Sequence, residues 1–309
     1  MPRMDGITFL RKLMNVYPLP VVVVSSLTQE GNSAAIKALE LGALDFVSKP
    51  KTGIGGGLAG MKAEILDKIR AASLVNMDRL RSQSRRAVIR ESSKYRKEAA
   101  TGTEIKEEAV NVRNMDRIVA IGASTGGTVA VKQVLQKLPA NIPGIIIVLH
   151  MPPGFTASYA QSLNANCRLQ VKEAEDGDVL SMGRAFIAPG GKHLILRKGT
   201  MGFYLKVDES PPVNRHRPSV DKTFFTVADK ASPNCMGVIL TGMGEDGAAG
   251  LKAMNDKGSF TVAQDEKSSV VFGMPQKAIA LGGVDKVLSL NDIPGAIMRF
   301  IQSENFAKA

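Results

Sequence analysis

Residues 121–127 read Ile121-Gly122-Ala123-Ser124-Thr125-Gly126-Gly127, an apolar run ending in a glycine-rich turn with a serine at its centre. Upstream, Arg117-Ile118-Val119-Ala120 predicts a short buried strand. Downstream, Val131, Val134, Leu135 and Leu138 recur at helical spacing until Pro139 ends the pattern. A strand, a tight turn and a helix in that order set the Ser124 hydroxyl at the mouth of a sheet, where helix amides converge. Gly122 and Gly126 flank it at the spacing of an esterase nucleophile turn. The same residues also suit a strand-to-helix turn that binds phosphate or merely packs tightly, so the rest of the chain has to separate the two readings.

Strand and helix signals alternate from Asp116 onward. Ile145-Ile146-Ile147-Val148-Leu149 is continuously apolar, as expected of a parallel strand covered on both faces, and it ends at His150. Gly237-Val238-Ile239-Leu240-Thr241 is another, followed by Gly242-Met243-Gly244-Glu245-Asp246-Gly247 and a helix over Ala248 to Met254. The pattern predicts an α/β domain with a doubly wound, mostly parallel sheet. Ser124, His150 and Asp246 each fall just past the carboxyl end of a predicted strand, where open parallel sheets bind ligands.

Those three residue types have a chemical logic. A serine is a poor nucleophile at neutral pH unless a base takes its proton, and the base works only if a third group fixes its tautomer. Their order, Ser then His then Asp, differs from the Ser, Asp, His order of α/β-hydrolases and predicts a related but distinct topology. Each also has a plainer reading: His150 as a turn histidine, Asp246 as a helix cap. Glu245 competes with Asp246, while His193 and His216, the only other histidines, compete with His150.

Composition narrows the class. A length of 309 residues suggests two domains, and 44% apolar with 22% charged residues is ordinary for a soluble globular protein. No apolar run approaches the ~20 residues of a bilayer span. The start, MPRMDGITFL, lacks the features of an export signal, so a cytoplasmic location is expected. Cys167 and Cys235 belong to no Cys-x-x-Cys pair and read as reduced structural residues. The net charge of +11 would suit nucleic acid, but its distribution argues against that partner. Lys51 to Met115 holds 14 basic against 8 acidic residues, a surplus of six in a low-complexity connector. This reads as a solvated linker, with a docking segment for an acidic partner as the alternative.

Before the linker, Ile7, Leu10 and Leu13, with Phe9 and Met14, predict an amphipathic helix. Pro20 to Val24 predicts a strand ending in Ser25-Ser26, Ala34 to Leu41 a helix stopped by Gly42, and Asp45-Phe46-Val47 a strand leading to Lys49-Pro50. Thr52 to Gly60 reads as a hinge, Met61 to Arg81 as a helix with Met61, Ile65, Ile69 and Ala72 on one face, and Ser82 to Met115 as extended chain. The expected organisation is a first unit at 1–50, a linker at 51–115 and a second domain at 116–305.

Two resemblances follow from these motifs. MPRMDG, VVVVSS, LELGALDFV and SKP resemble the second half of a response-regulator receiver domain. That resemblance implies that Ser25 matches the hydroxyl residue near the phosphoryl group, and that Lys49, before a cis bond to Pro50, matches the phosphate-sensing lysine. The family's phosphoacceptor aspartate and magnesium-binding acidic pair lie upstream of an MPRMDG-like segment and are absent from this sequence. Neither phosphorylation nor a receiver Mg²⁺ site is expected, a contact with the chemotaxis histidine kinase is not expected of half a receiver, and residues 1–50 are not expected to fold stably alone.

The segments IVAIGASTGG, HMPPGFTASYAQSLN, VKEAEDGD, IAPGGKH, PPVNRHRPSVD, GVILTGMGEDGAAG and AQDEKSSVVFGMP resemble, in this order, the catalytic domain of the chemotaxis protein-glutamate methylesterase (CheB) family. The resemblance implies a serine hydrolase that demethylates glutamyl methyl esters, and deamidates glutamines, on methyl-accepting chemotaxis receptors. It implies Ser124 as nucleophile, His150 as base and acid, and Asp246 as the orienting carboxylate, with His193 and His216 at non-catalytic positions. The Met243 N–H is the expected oxyanion donor and Thr125 an orienting neighbour. Lys192, Arg215 and Arg217 are candidate contacts to an acidic receptor helix, no cofactor or catalytic metal is expected, and a monomer is. A dinucleotide-binding module is one competing class, but Gly122 to Gly127 lacks the Gly-x-Gly-x-x-Gly spacing, and no acidic residue stands at a strand end ~20 residues on; a non-catalytic partner-binding regulator, with the receiver fragment and basic linker as its active parts, is the other.

Overall fold

The computed structural model describes residues 4–26, 28–49, 57–78, 80–81, 117–200 and 202–303. They fall into two compact units, Met1–Val110 and Asn111–Ala309. The expected linker from 82 to 115, the hinge residues 52–56 and the bond to Pro50 lie outside the described residues.

The first unit holds α1 (Gly6–Val16), β1 (Val22–Ser25), α2 (Gln29–Glu40), β2 (Asp45–Ser48) and α3 (Gly57–Ser73). Asp5 and Thr28 start the first two helices, each side chain accepting a hydrogen bond from a backbone N–H three residues on. β1 and β2 pair in parallel from Val22↔Asp45 to Ser25↔Ser48. Two sequence expectations change here. Gly57 to Gly60 belong to α3 rather than to a hinge, and α3 is part of the first unit, tied to β2 by a 2.6 Å ion pair from Lys68 to Asp45. Its inner face runs through Lys68 and the buried Ala71, which turns Ile69 outward to 55% exposure.

The second unit is built on seven strands, all parallel: β3 (Ile118–Ala123), β4 (Ile145–Leu149), β5 (Gln170–Glu173), β6 (Arg184–Ile187), β9 (Cys235–Ile239), β10 (Phe260–Gln264) and β11 (Lys286–Leu288). Their order is β11-β10-β9-β3-β4-β6-β5. β7 (His193–Gly199) and β8 (Gly202–Asp208) form a separate antiparallel hairpin. The helices are α4 (Gly127–Leu135), α5 (Phe155–Asn164), α6 (Val220–Lys230), α7 (Ala248–Asp256), α8 (Met274–Ala280) and α9 (Ile293–Gln302). Every residue of β3, β4, β9 and β10 is buried, which is why β3, β4 and β9 read as unbroken apolar runs rather than alternating ones, while β10 buries the polar Thr261 and Gln264 as well.

One core joins Ile118, Ala120, Ile146 and Val148 of the sheet to Leu194, Leu196 and Leu205 of the hairpin and to Val220, Phe224 and Leu251 of α6 and α7. The chain winds from β3 to one side through β4, then crosses to the other side at β9. This reversal makes the carboxyl ends of the three central strands β4, β3 and β9 a natural crevice.

Candidate active site

Ser124 leaves β3 at the centre of that crevice. The register pairs Ala123 with Leu149, so Ser124 and His150 emerge from neighbouring strands at the same level, where adjacent strands run about 4.8 Å apart. On the other side, Ser124 N–H donates to the Thr241 carbonyl at 3.0 Å. The turn then closes through Gly126 (φ +77°), and Gly127 N–H donates back to the Ser124 carbonyl at 2.6 Å as α4 begins. A left-handed residue at that step favours glycine.

The neighbouring glycines are required by packing. A β-carbon at Gly242 would lie 2.8 Å from Ser124 Cβ, and one at Gly127 would lie 2.6 Å from Ala123 Cβ. Such tight backing leaves no space for a side chain at Gly127 or Gly242 and packs the turn closely around Ser124. Thr241 reinforces it: its hydroxyl donates to the Thr125 carbonyl at 3.0 Å and accepts from the Val270 and Val271 N–H groups. Thr125 is thus tied to the end of β9 through its carbonyl.

His150 Nε2 lies 2.8 Å from Asp246 Oδ2. Asp246 is 2% exposed, and Asn214 Nδ2 (2.8 Å), Ser219 Oγ (2.7 Å), Val220 N (2.7 Å) and Asp221 N (3.3 Å) also donate to its oxygens. Burial pushes its carboxyl up, but the hydrogen bond and charge of His150 and the Asn214 and Ser219 bonds outweigh that, holding it well below the usual carboxylate range. Because Asp246 is then an acceptor only, a neutral imidazole here carries its proton on Nε2 and its lone pair on Nδ1. Nδ1 is buried and has no hydrogen-bond partner among the described residues, Ser124 Oγ included. The structure thus joins His150 to Asp246, sets Ser124 at the end of the adjacent strand, and leaves Nδ1 as the ring nitrogen not engaged by Asp246.

The competing residues separate cleanly. Glu245 is exposed on the same loop that buries Asp246. His193 is 0% exposed and its ring is fully used, with Nε2 at 3.1 Å from the Pro211 carbonyl and Nδ1 accepting from Ser219 N–H at 3.2 Å. His216 stacks on His150, ring centroids 3.7 Å apart and planes 6° from parallel. Of the basic candidates, Lys192 pairs with Glu209 at 2.7 Å, and Arg217 donates to the Glu209 and Ser210 carbonyls at 3.1 and 3.2 Å. Arg215 is exposed and makes no hydrogen bond or ion pair among the described residues. The Met243 N–H likewise has no acceptor among them.

Sequence reasoning missed the residues that hold Asp246: Asn214, Ser219 and the N–H groups of Val220 and Asp221. Ser219 carried a readable signal as the N-cap of α6, where its side chain accepts from Lys222 N–H. Asp221 is buried between Asn214 Nδ2 (2.7 Å) and Gly250 N (2.6 Å), and burial together with the charge of Asp246 raises its carboxyl. In the first unit, Ser25 Oγ donates to the Gly31 carbonyl at 2.8 Å, and Lys49 N–H donates to the Ser25 carbonyl at 2.7 Å. The two receiver-like residues are therefore adjacent, with the Lys49 side chain exposed.

Comparison with known proteins decides the family. Residues 119–297 match the model of the CheB methylesterase family, and residues 1–53 match the response regulator receiver domain. The chain belongs to the CheB methylesterase family. Among CheB relatives, a protein-glutamate methylesterase/protein-glutamine glutaminase of Paraburkholderia xenovorans is 47% identical over 98% of this chain and 82% of its own length. The protein of that name from Salmonella typhimurium is 48% identical over 95% of this chain and 79% of its own. The crystal structure of the Thermotoga maritima CheB methylesterase catalytic domain superposes with a TM-score of 0.58 at 41% identity, covering 59% of this chain and 97% of that one. That likeness bears out the α/β reading of the second unit. Among the described residues, no helix is long and apolar enough to cross a membrane.

Proposed function

We propose that this CheB family member is a protein-glutamate methylesterase and protein-glutamine glutaminase acting on methyl-accepting chemotaxis receptors through Ser124, His150 and Asp246. The observation that carries the reading is the Nε2–Asp246 bond, which leaves Nδ1 as the basic nitrogen beside the strand that bears Ser124. Nδ1 takes the Ser124 proton as Oγ attacks the γ-carbonyl of the glutamyl ester, and Asp246 stabilises the imidazolium that forms. The tetrahedral oxyanion takes a hydrogen bond from the Met243 N–H. Collapse breaks the bond to the methoxy oxygen, which leaves as methanol with the proton from Nδ1. Water then enters and attacks the acyl carbon as Nδ1 takes its proton; the acyl–Oγ bond breaks, and Nδ1 returns that proton to the departing Oγ to give glutamate and restored Ser124. With a glutamine, the same sequence releases ammonia.

General base catalysis contributes about 10²–10⁴-fold and one oxyanion donor about 10²–10³-fold. Arg215 is the basic side chain free to meet acidic residues around the ester, while Lys192 and Arg217 shape the rim through their own partners. Methanol release from a glutamyl methyl ester peptide tests the reading: turnover by the parent and its loss in Ser124→Ala are expected, and equal rates in the two proteins would reject it.

A further inference from the structure

The Val213–His216 segment is not needed to explain the reaction, yet it touches both partners of the acid–base pair. Val213 and His216 exchange two backbone hydrogen bonds, of 3.1 and 2.8 Å, around Asn214 and Arg215. Both central residues have positive φ, +52° and +67°. This is the backbone of a two-residue turn that normally carries Asn-Gly, with arginine where glycine belongs. Strain of that kind persists where surrounding contacts over-determine the conformation. Here the contacts are visible. Asn214 Nδ2 donates to Asp221 Oδ2 at 2.7 Å and to Asp246 Oδ1 at 2.8 Å, which locks the turn to the orienting carboxylate. The turn then delivers the His216 ring onto the face of His150 at 3.7 Å, nearly parallel to it.

We infer that the Asn214–His216 turn is a positioning element for the base, in which Asn214 pins Asp246 and His216 fixes the plane of the His150 ring. The inference rests on the hydrolase reading above. One hydrogen bond from Nε2 fixes a point on the imidazole but leaves the ring free to pivot about that bond, and Nδ1 swings with it. A second ring stacked on its face removes that freedom, because any pivot would drive the two rings together or open a gap between them. Asn214 acts on the other end of the pair by holding Asp246 Oδ1, so that Oδ2 stays directed at Nε2. His216 and Asn214 are thus positioning residues that act through His150 and Asp246.

The test uses the full chain and a glutamyl methyl ester peptide, with kcat, KM and thermal stability measured together. His216→Ala should lower kcat about tenfold with KM little changed, since small misplacement of a catalytic group is costly to rate. His216→Phe restores a flat ring on the same face and should recover most of the loss, whereas His216→Leu should not. Asn214→Gly relaxes the backbone, so a turn with only a structural role would tolerate it; the positioning role predicts a fall in kcat with the protein still folded. In the substrate-free parent, the ¹⁵N spectrum of His150 should report a single Nε2–H tautomer, broadened in His216→Ala. Unchanged kcat in His216→Ala, or full activity in Asn214→Gly, would overturn the inference, as would a loss in His216→Ala that tracks unfolding and is not rescued by Phe. His150→Ala distinguishes the two levels: if it is inactive while His216→Ala is parental, the hydrolase reading stands and the positioning role falls, and if it retains turnover, the hydrolase reading itself falls.

Discussion

Val220 packs its side chain against the Cα of Gly122, leaving no room for a β-carbon there, and from the same residue directs its N–H onto Asp246 Oδ2 at 2.7 Å. This glycine, one residue before the end of β3, thereby sets how closely the start of α6 approaches the sheet, and with it the place of the Asp246 carboxylate. Gly122→Ala should push Val220 away. Overpacking of this kind costs about 1–3 kcal/mol, readable by chemical denaturation, and the displaced Val220 N–H should lower kcat beyond what the stability loss explains. A stable, fully active Gly122→Ala would contradict this coupling.

The two carboxylates of the Gly242–Gly247 loop should differ sharply in effect. Asp246→Asn removes the acceptor that selects the Nε2–H tautomer and should lower kcat about 10³–10⁴-fold. Glu245 is exposed, so Glu245→Gln should stay near the parental rate. Ester-hydrolysis kinetics on both variants decide the matter, and a larger effect at Glu245 would reverse the assignment.

The depressed carboxyl of Asp246 carries a pH signature. In the unfolded chain it titrates near ~3.9, and in the folded protein lower than that. Its ionised form therefore contributes full stability above about pH 4, and that contribution is lost as the pH falls from there toward the folded value. Asp221, raised by burial, carries the opposite sign and offsets part of the slope. Unfolding free energy measured across the acid range should fall less steeply in Asp246→Asn than in the parent. Identical acid slopes would show that the carboxylate is not held as described.

Of the three basic candidates, Arg215 has no partner among the described residues, whereas Lys192 and Arg217 are engaged. Arg215→Glu should raise KM for an acidic glutamyl-ester peptide several-fold at low salt and leave a small neutral ester unaffected, the pattern of long-range charge complementarity. Equal effects on the two substrates would assign Arg215 a role in the fold instead.

Much of this was readable from residue order, and the exceptions have physical causes. The sheet announced itself because β3, β4 and β9 are covered on both faces and so are apolar at every position. Ser124, His150 and Asp246 stood out because each follows such a run. The choice of Asp246 over Glu245 was not legible from composition alone, since both occupy one glycine loop and only the direction of the chain at Gly247 (φ +95°) accompanies the burial of one and exposure of the other. Asn214 and His216 were hidden more deeply: their contacts lie 32 and 66 positions away, in a turn whose left-handed backbone has no periodic signature. In the first unit, glycines near α3 suggested a hinge, but packing of α3 on β2 through Lys68 and Asp45 overrides that local preference.

The measurement that bears most directly on the central claim is the rate at which a phosphonofluoridate labels Ser124, mapped by peptide mass spectrometry in the parent, His150→Ala and Asp246→Asn. The account predicts one adduct, on Ser124, forming rapidly in the parent and orders of magnitude more slowly in both variants. Labelling of Ser124 at the same rate in all three, or an ester-hydrolysing parent whose Ser124 is never labelled, would contradict it.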